Sequence, residues 1–360
     1  MTDTTTPTLI IGSYTAGRAA DEAGLGLTFA RCDPDSLALS ATGVHYAPQA
    51  SVSTLGPSGD RLYAVREEAE GQVTAFALEP DGPRPLSTRP TGGEDPCYLV
   101  TDPTGRFLLT ANYGTGSIVV HPILPDGSLG DRTDLVTHVG TGPVSDRQAG
   151  PHAHMIVPDP TGETMLAVDL GADSIFAYTL DPESGRLTLR AANHLRPGSG
   201  PRHLAFDPSG QYIYLANELD STVSVLAYDR AAGRVAQLAV YPAAPVRPNQ
   251  PSYPGGIVLA PDGRHVYVSN RGDESITAFA VSADGADLRP AGRWDCGGSW
   301  PRHLTPTPDG RVLFCANQRS GTVNAFRVDP ADGSLTAGGI LAVDQPAHVL
   351  VRPASGVGAE

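Results

Sequence analysis

The 360-residue sequence contains no lysine; its 25 Lys-plus-Arg positions are all arginine, set against 39 acidic residues for a formal charge of −14. Without lysine there is no Schiff-base chemistry on an ε-amino group, and no P-loop, whose lysine grips the nucleotide phosphates. An acidic chain with no basic stripe excludes a nucleic-acid partner, which requires clustered cations, and offers no attraction to an anionic membrane. Long apolar runs are also missing, and a bilayer-spanning helix needs about 18 such residues. The opening MTDTTTPTLIIGSYT has neither a cationic segment nor a cleavage site, so the expectation is a soluble, cytoplasmic chain. The cysteines are four, Cys32, Cys97, Cys296 and Cys315, far apart and without zinc spacing; they are expected as buried free thiols. No G-x-S-x-G elbow and no His-paired cysteine motif occurs, so no side-chain nucleophile is offered.

What the sequence does have is punctuation. With 41 Gly and 33 Pro it is rich in turns, and the turns recur. Pro57-Ser58-Gly59, Pro103-Thr104-Gly105, Pro160-Thr161-Gly162, Pro208-Ser209-Gly210, Pro261-Asp262-Gly263 and Pro308-Asp309-Gly310 stand 46 to 57 residues apart. Each is followed by two β-rich runs, such as LLTAN then SIVVHPI, or YLANE then TVSVLAY. Pro96, Pro201, Pro254 and Pro301 stand seven residues ahead of their turns. A unit therefore reads strand, Pro-x-Gly turn, strand, short turn, strand, with a weaker fourth strand after it. Six units cover roughly 48–345. The tail QPAHVLVRP, with Pro346 and Pro353, supplies the first strand of a seventh, and the head TLIIGSYT and LGLTFARCDP supplies the next. The prediction is an all-β, seven-bladed β-propeller over residues 1–360 as one domain, with one blade closed by the N- and C-terminal segments.

The repeat also predicts which residues meet. The first strand of a blade lines the central channel and pairs with the second, so residues six before and ten after the turn proline share the rim opposite the turns. The first set is Cys97, His154, Arg202, Gly255, Arg302 and Ala347; the second is Glu67, Tyr113, Leu170, Glu218, Arg271 and Gln318. So many large polar residues on one face point to a site, against the alternative of a solvated rim with unrelated ion pairs. The loop from Gly140 to His154 brings Arg147 and His152 to the same rim. His152-x-His154 with Asp169 or Glu218 has the outline of a metal site, but a histidine base beside a carboxylate is the stronger reading. His203 and His303, one residue further along, are expected as structural histidines inside the blades.

The stretches PCYLVTDPTGRFLLTANYG, DRQAGPHAHMI, GSGPRHLAFDPSGQYIYLANELD, VSNRGDESITAF and CANQRSGTVNAFRVDP resemble the propeller-type 6-phosphogluconolactonase family, over nearly the whole chain from Gly12 to Asp329 and beyond. Fungal carboxy-muconate lactonising enzymes are similar. The resemblance implies a cytosolic, metal-independent lactone hydrolase of the pentose phosphate pathway; the expectation is action without a cofactor on a small anionic sugar lactone, by a monomer or weak homodimer. The functional set of the lactonising relatives falls here on His154, Arg202, Glu218 and Arg271. Met155, Asp273 and His303 depart from the family's pattern, which bears on which lactone is taken. In this reading His154 takes the proton of the attacking water, and Glu218 orients it and holds it cationic. Arg271 and Arg202 hold the carbonyl and anionic oxygens, with Arg302 and Arg147 as further contacts. His152, Gln318, Tyr113 and Glu67 complete the substrate-binding set. Two rival classes stay open: a muconate-type cycloisomerase using the same residues, and a non-enzymatic scaffold, which the 6% aromatic content and absence of a WD dipeptide disfavour.

Overall fold

In the computed structural model, which describes residues 7–15 and 26–352, the strands form seven four-stranded antiparallel sheets. Numbered by their position in the sequence, blade 1 runs from Ser53–Leu55 on the inside through Arg61–Arg66 and Gln72–Glu79 to Gly82–Pro90. Blades 2 to 6 begin with the inner strands Pro96–Thr101, Ala153–Pro158, Pro201–Phe206, Tyr253–Leu259 and Pro301–Pro306. Blade 7 joins both ends of the chain: Pro346–Arg352 is its inner strand and pairs with Thr8–Ser13, followed outward by Gly26–Cys32 and Leu39–Tyr46. The closure is as expected from head and tail; Pro353 lies outside the described residues. Among those residues no helix is long and apolar enough to cross a membrane.

The apolar core is divided into seven wedges, each filled by residues of two adjacent blades. A middle strand is therefore covered on both faces. Phe107–Asn112 and Val312–Asn317 are buried at every position, whereas the outermost Leu335–Ala342 alternates towards solvent. This explains why the sequence shows short continuous β-rich runs rather than simple alternation.

The Pro-x-Gly turns have a second role beyond turning the chain. Gly105, Gly162, Gly210 and Gly263 all have φ near +70°, and a Cβ on each would come within 2.5–3.0 Å of the proline in the preceding blade's turn, such as Pro57 Cγ at 2.5 Å from Gly105. Only glycine permits both the left-handed conformation and this approach. The motif therefore gears one blade to the next at the end of the channel away from the site.

At the other end the inner strands are bulged. Register slips by one residue between Pro96 and Tyr98, Ala153 and Met155, Pro201 and His203, and Pro301 and His303; His348 and Pro346 likewise skip Ala347. The skipped residues are Cys97, His154, Arg202, Arg302 and Ala347. A bulge leaves one residue unpaired and re-aims its side chain, and this is how blades 2, 3, 4 and 6 bring a thiol, an imidazole and two guanidiniums to the mouth of the channel.

Candidate active site

Four of the skipped residues and the residues that end the second strands form two linked clusters. Glu218 is the centre of the first. Its Oε1 accepts a hydrogen bond from Arg147 Nη2 at 2.7 Å, while Arg271 Nη2 lies 2.6 Å and Arg202 Nε 3.1 Å from Oε2. The guanidiniums are fixed from behind: Arg202 Nη1 donates to Gly255 O at 2.6 Å, and Arg271 donates to the carbonyls of Tyr253 and Pro254 at 3.1 and 3.0 Å. Arg147 also donates to Tyr113 Oη at 3.1 Å. Gly255 is glycine because blade 6 passes so close that a Cβ there would lie 2.7 Å from Pro301 O.

Glu67 is the centre of the second cluster. It accepts hydrogen bonds from Tyr14 Oη at 2.9 Å and from Ser51 Oγ. Arg302 Nη2 stands 3.7 Å from Glu67 Oε1, and its guanidinium lies over the Tyr14 ring at 5.2 Å. Arg302 is mostly buried, yet among the described residues its side chain donates no hydrogen bond. Four guanidiniums, Arg147, Arg202, Arg271 and Arg302, thus face two carboxylates, Glu67 and Glu218. The site carries a surplus of two positive charges inside a protein of net charge −14. Low-dielectric walls make such a local field strong.

His154 is buried, with Nδ1 3.7 Å from Cys97 Sγ and its ring edge-on to Tyr113 at 5.5 Å and to His203 at 5.1 Å. Its Nε2 makes no hydrogen bond among the described residues. Burial, and next to it the charge of Arg202, push its pKa well below that of an ordinary imidazole, against the opposing pull of Glu218. Burial alone would raise the Glu218 carboxyl, but Arg271 and Arg202 more than offset it and hold it well below the usual carboxylate range. The site therefore presents a neutral imidazole among arginines.

All ten expected site residues reach this rim, with differing engagement. His152 stacks on Tyr113 at 4.5 Å and bonds through Nδ1 to Tyr113 O at 2.8 Å, so it supports the wall rather than the charge cluster. Gln318 bonds to Trp300 O through its backbone N–H, and its buried Oε1 has no partner. The structure corrects two expectations and bears on one weighed alternative. Glu218 does not orient His154 or hold it cationic: its oxygens are taken by arginines, and His154 faces a thiol instead. Asp169, weighed as a metal ligand, is bonded to His138 Nδ1 at 2.7 Å and to the backbone N–H of His152 and Ala172; among the described residues no group of three His, Cys, Asp or Glu is placed to hold a metal. His203 and His303 are not packed inside the blades. The bulge turns them towards the axis, where His203 meets Arg202 and His154, and His303 lies 4.1 Å from His348.

Tyr14 went unnoticed in the sequence although it follows the second strand of blade 7 as Glu218 follows that of blade 4. Counting from the turn proline fails there because the blade is split between the termini. Cys97 stood in the register, but its pairing with His154 became visible only in three dimensions. Burial raises its thiol pKa, so the sulfur keeps its proton.

Residues 8–351 match the family model described as Lactonase, 7-bladed beta-propeller. The chain is 36% identical over 245 residues to a 6-phosphogluconolactonase of Bacillus subtilis, covering 67% of this chain and 69% of that protein. It is 31% identical over 261 residues to a 6-phosphogluconolactonase of Formosa agariphila, covering 69% and 73%. Among solved structures, the periplasmic gluconolactonase of Pseudomonas aeruginosa superposes with a TM-score of 0.90 at 31% identity, over 97% of this chain and 100% of that one.

Proposed function

The chain belongs to the seven-bladed β-propeller lactonases and is a lactone hydrolase, and from that premise we propose that it converts 6-phospho-D-glucono-1,5-lactone to 6-phosphogluconate, as a cytoplasmic step of the pentose phosphate pathway. One observation carries the choice of substrate: the surplus of two positive charges at the mouth, with Arg302 donating to no described group. A phosphate dianion matches that charge, and a guanidinium fork matches its oxygens. A neutral lactone would leave the arginines uncompensated.

The reaction needs a base and a stabilised oxyanion. The Cys97 thiol has carbonyl acceptors in Ala153 and His154, each 3.6 Å away. With its proton there, Nδ1 carries the imidazole proton and Nε2 is the free base. His154 Nε2 removes a proton from water as the water oxygen bonds to the lactone carbonyl carbon. The carbonyl oxygen becomes an oxyanion facing Arg202 and Arg271, which are already braced by backbone carbonyls and Glu218 and need no reorganisation. Collapse breaks the bond to the ring oxygen, which takes the proton back from His154, and the carboxylic acid product ionises to solvent. A positioned base contributes about 10²–10⁴-fold and an oxyanion donor about 10²–10³-fold. Glu218, pinned by three guanidiniums, is a counter-ion rather than a base.

The test is purified protein with freshly generated 6-phosphogluconolactone, measured against spontaneous hydrolysis and alongside unphosphorylated gluconolactone. Acceleration of the phosphorylated lactone by the larger factor is expected. No acceleration, or preference for the unphosphorylated lactone, overturns the substrate assignment.

A further inference from the structure

Trp300 immediately precedes the inner strand of blade 6 with φ of +63°. Three other blades also have a left-handed residue directly before the inner strand, Asp95, Gly200 and Gln345, and Gln49 holds the same place in the repeat of blade 1. None of these carries an aromatic ring. A bulky residue in this conformation persists only where its surroundings enforce it, and such outliers cluster at ligand sites. Here the Glu274 carboxylate accepts the Trp300 N–H, and Gln318 N–H donates to Trp300 O at 3.0 Å.

The enforced position sets the indole between two arginines of different standing. The Arg271 guanidinium lies 5.6 Å from a Trp300 ring centroid and belongs to the Glu218 cluster. The Arg319 guanidinium is stacked at 3.4 Å. Arg319 is exposed, directly follows Gln318 at the mouth, and among the described residues its side chain has no hydrogen bond and no ion pair. In a chain of net charge −14, an arginine stacked on an indole beside the active site, and paired with no acidic group among the described residues, is a cation kept available.

We propose that Trp300 and Arg319 form the outer clamp of the substrate site, the stacked guanidinium binding the phosphate that the substrate carries away from its lactone carbonyl. The proposal rests on the phosphorylated-lactone reading above and adds the residues that discriminate for the phosphate. Stacking leaves the in-plane N–H groups of Arg319 free to donate while the indole fixes their plane. Arg302, deeper on the same blade, meets the phosphate from below the mouth.

Arg319→Gln removes the charge from an exposed side chain. It is expected to raise KM for 6-phosphogluconolactone about tenfold, the size of one charge-assisted hydrogen bond, with kcat kept and unphosphorylated gluconolactone unaffected. An equal effect on both lactones, or on neither, overturns the clamp. Fluorescence gives a readout independent of turnover, because the chain has two tryptophans, Trp294 and Trp300. In the Trp294→Phe protein, 6-phosphogluconate is expected to change Trp300 emission saturably, with half-saturation raised about tenfold by Arg319→Gln; gluconate gives no change. An emission indifferent to 6-phosphogluconate overturns the clamp even if the phosphorylated lactone is hydrolysed. Failure to hydrolyse that lactone, with the Arg319-dependent emission change intact, removes the substrate reading and leaves a phosphate clamp.

Discussion

Lowering the pH from 7.5 to 5.5 should destabilise this propeller by an amount set by its buried imidazoles. Burial drives His154, His203 and His303 well below the ordinary histidine value and pushes His121 and His348 down to about 4. In the unfolded chain each protonates near pH 6.5. Between the unfolded and folded values the unfolded state binds a proton that the folded state refuses. The stability is therefore fully present above pH 6.5 and is lost as the pH falls towards the folded value. At pH 5.5 the cost is ~1.4 kcal/mol per group, and about 7 kcal/mol for the five together. That is comparable with the entire stability of an ordinary domain, about 5–15 kcal/mol. Glu218, whose folded pKa is depressed, adds a loss of the same sign only as the pH nears its unfolded value of 4.5, so the window above about pH 5 belongs to the histidines. Urea unfolding at pH 7.5, 6.5 and 5.5 measures the loss. Proton uptake on unfolding at pH 5.5 in weakly buffered solution counts the groups, with at least four protons expected. His348→Phe should remove close to one of them. A stability that is flat across this range, or an uptake below two protons, refutes the account of these buried imidazoles as neutral.

The depressed pKa of His154 puts the acidic limb of kcat/KM below pH 6.5, and Arg202→Gln, by removing the positive charge beside it, should move the limb upward; a wild-type limb at or above 6.5 contradicts the assignment. In steady-state kinetics, His154→Ala should lower kcat at least about 100-fold with little change in KM. Arg202→Ala and Arg271→Ala should lower kcat/KM about 10- to 200-fold with KM raised; Arg264→Ala, whose side chain is tied to Asp262 and Pro330 O at the turn end, should leave both constants unchanged, and a deep defect there would sink the placement of the site. Gly105→Ala should cost at least about 1–2 kcal/mol for the left-handed backbone alone, with more from the clash against Pro57, read as a fall in unfolding midpoint with activity of the folded fraction preserved. Exhaustive chelation should leave hydrolysis unchanged, whereas loss restored by one divalent ion would reverse the role given to His154.

Blade number, blade order and the joining of the termini were legible in the residues. Six of the seven blades carry a Pro-x-Gly turn, and head and tail carry complementary parts of the seventh unit. The same register identified Cys97, His154, Arg202 and Arg302 with Tyr113, Glu218, Arg271 and Glu67 at one mouth, because a strand and its turn fix which residues share an end. What tertiary structure alone decided is who pairs with whom. Glu218 of blade 4 is held by Arg202 of its own blade, Arg271 of blade 5 and Arg147 from the loop before blade 3. No sequence interval encodes distances across a channel. The bulges were equally invisible, and a slip of one residue is enough to carry His203 and His303 from the blade interior to the axis. Nor does the sequence reveal burial, which keeps His154 a neutral base: in water the same imidazole takes up a proton as the pH falls through about 6.5, and it stays neutral below that only where the fold removes the water and sets Arg202 beside it.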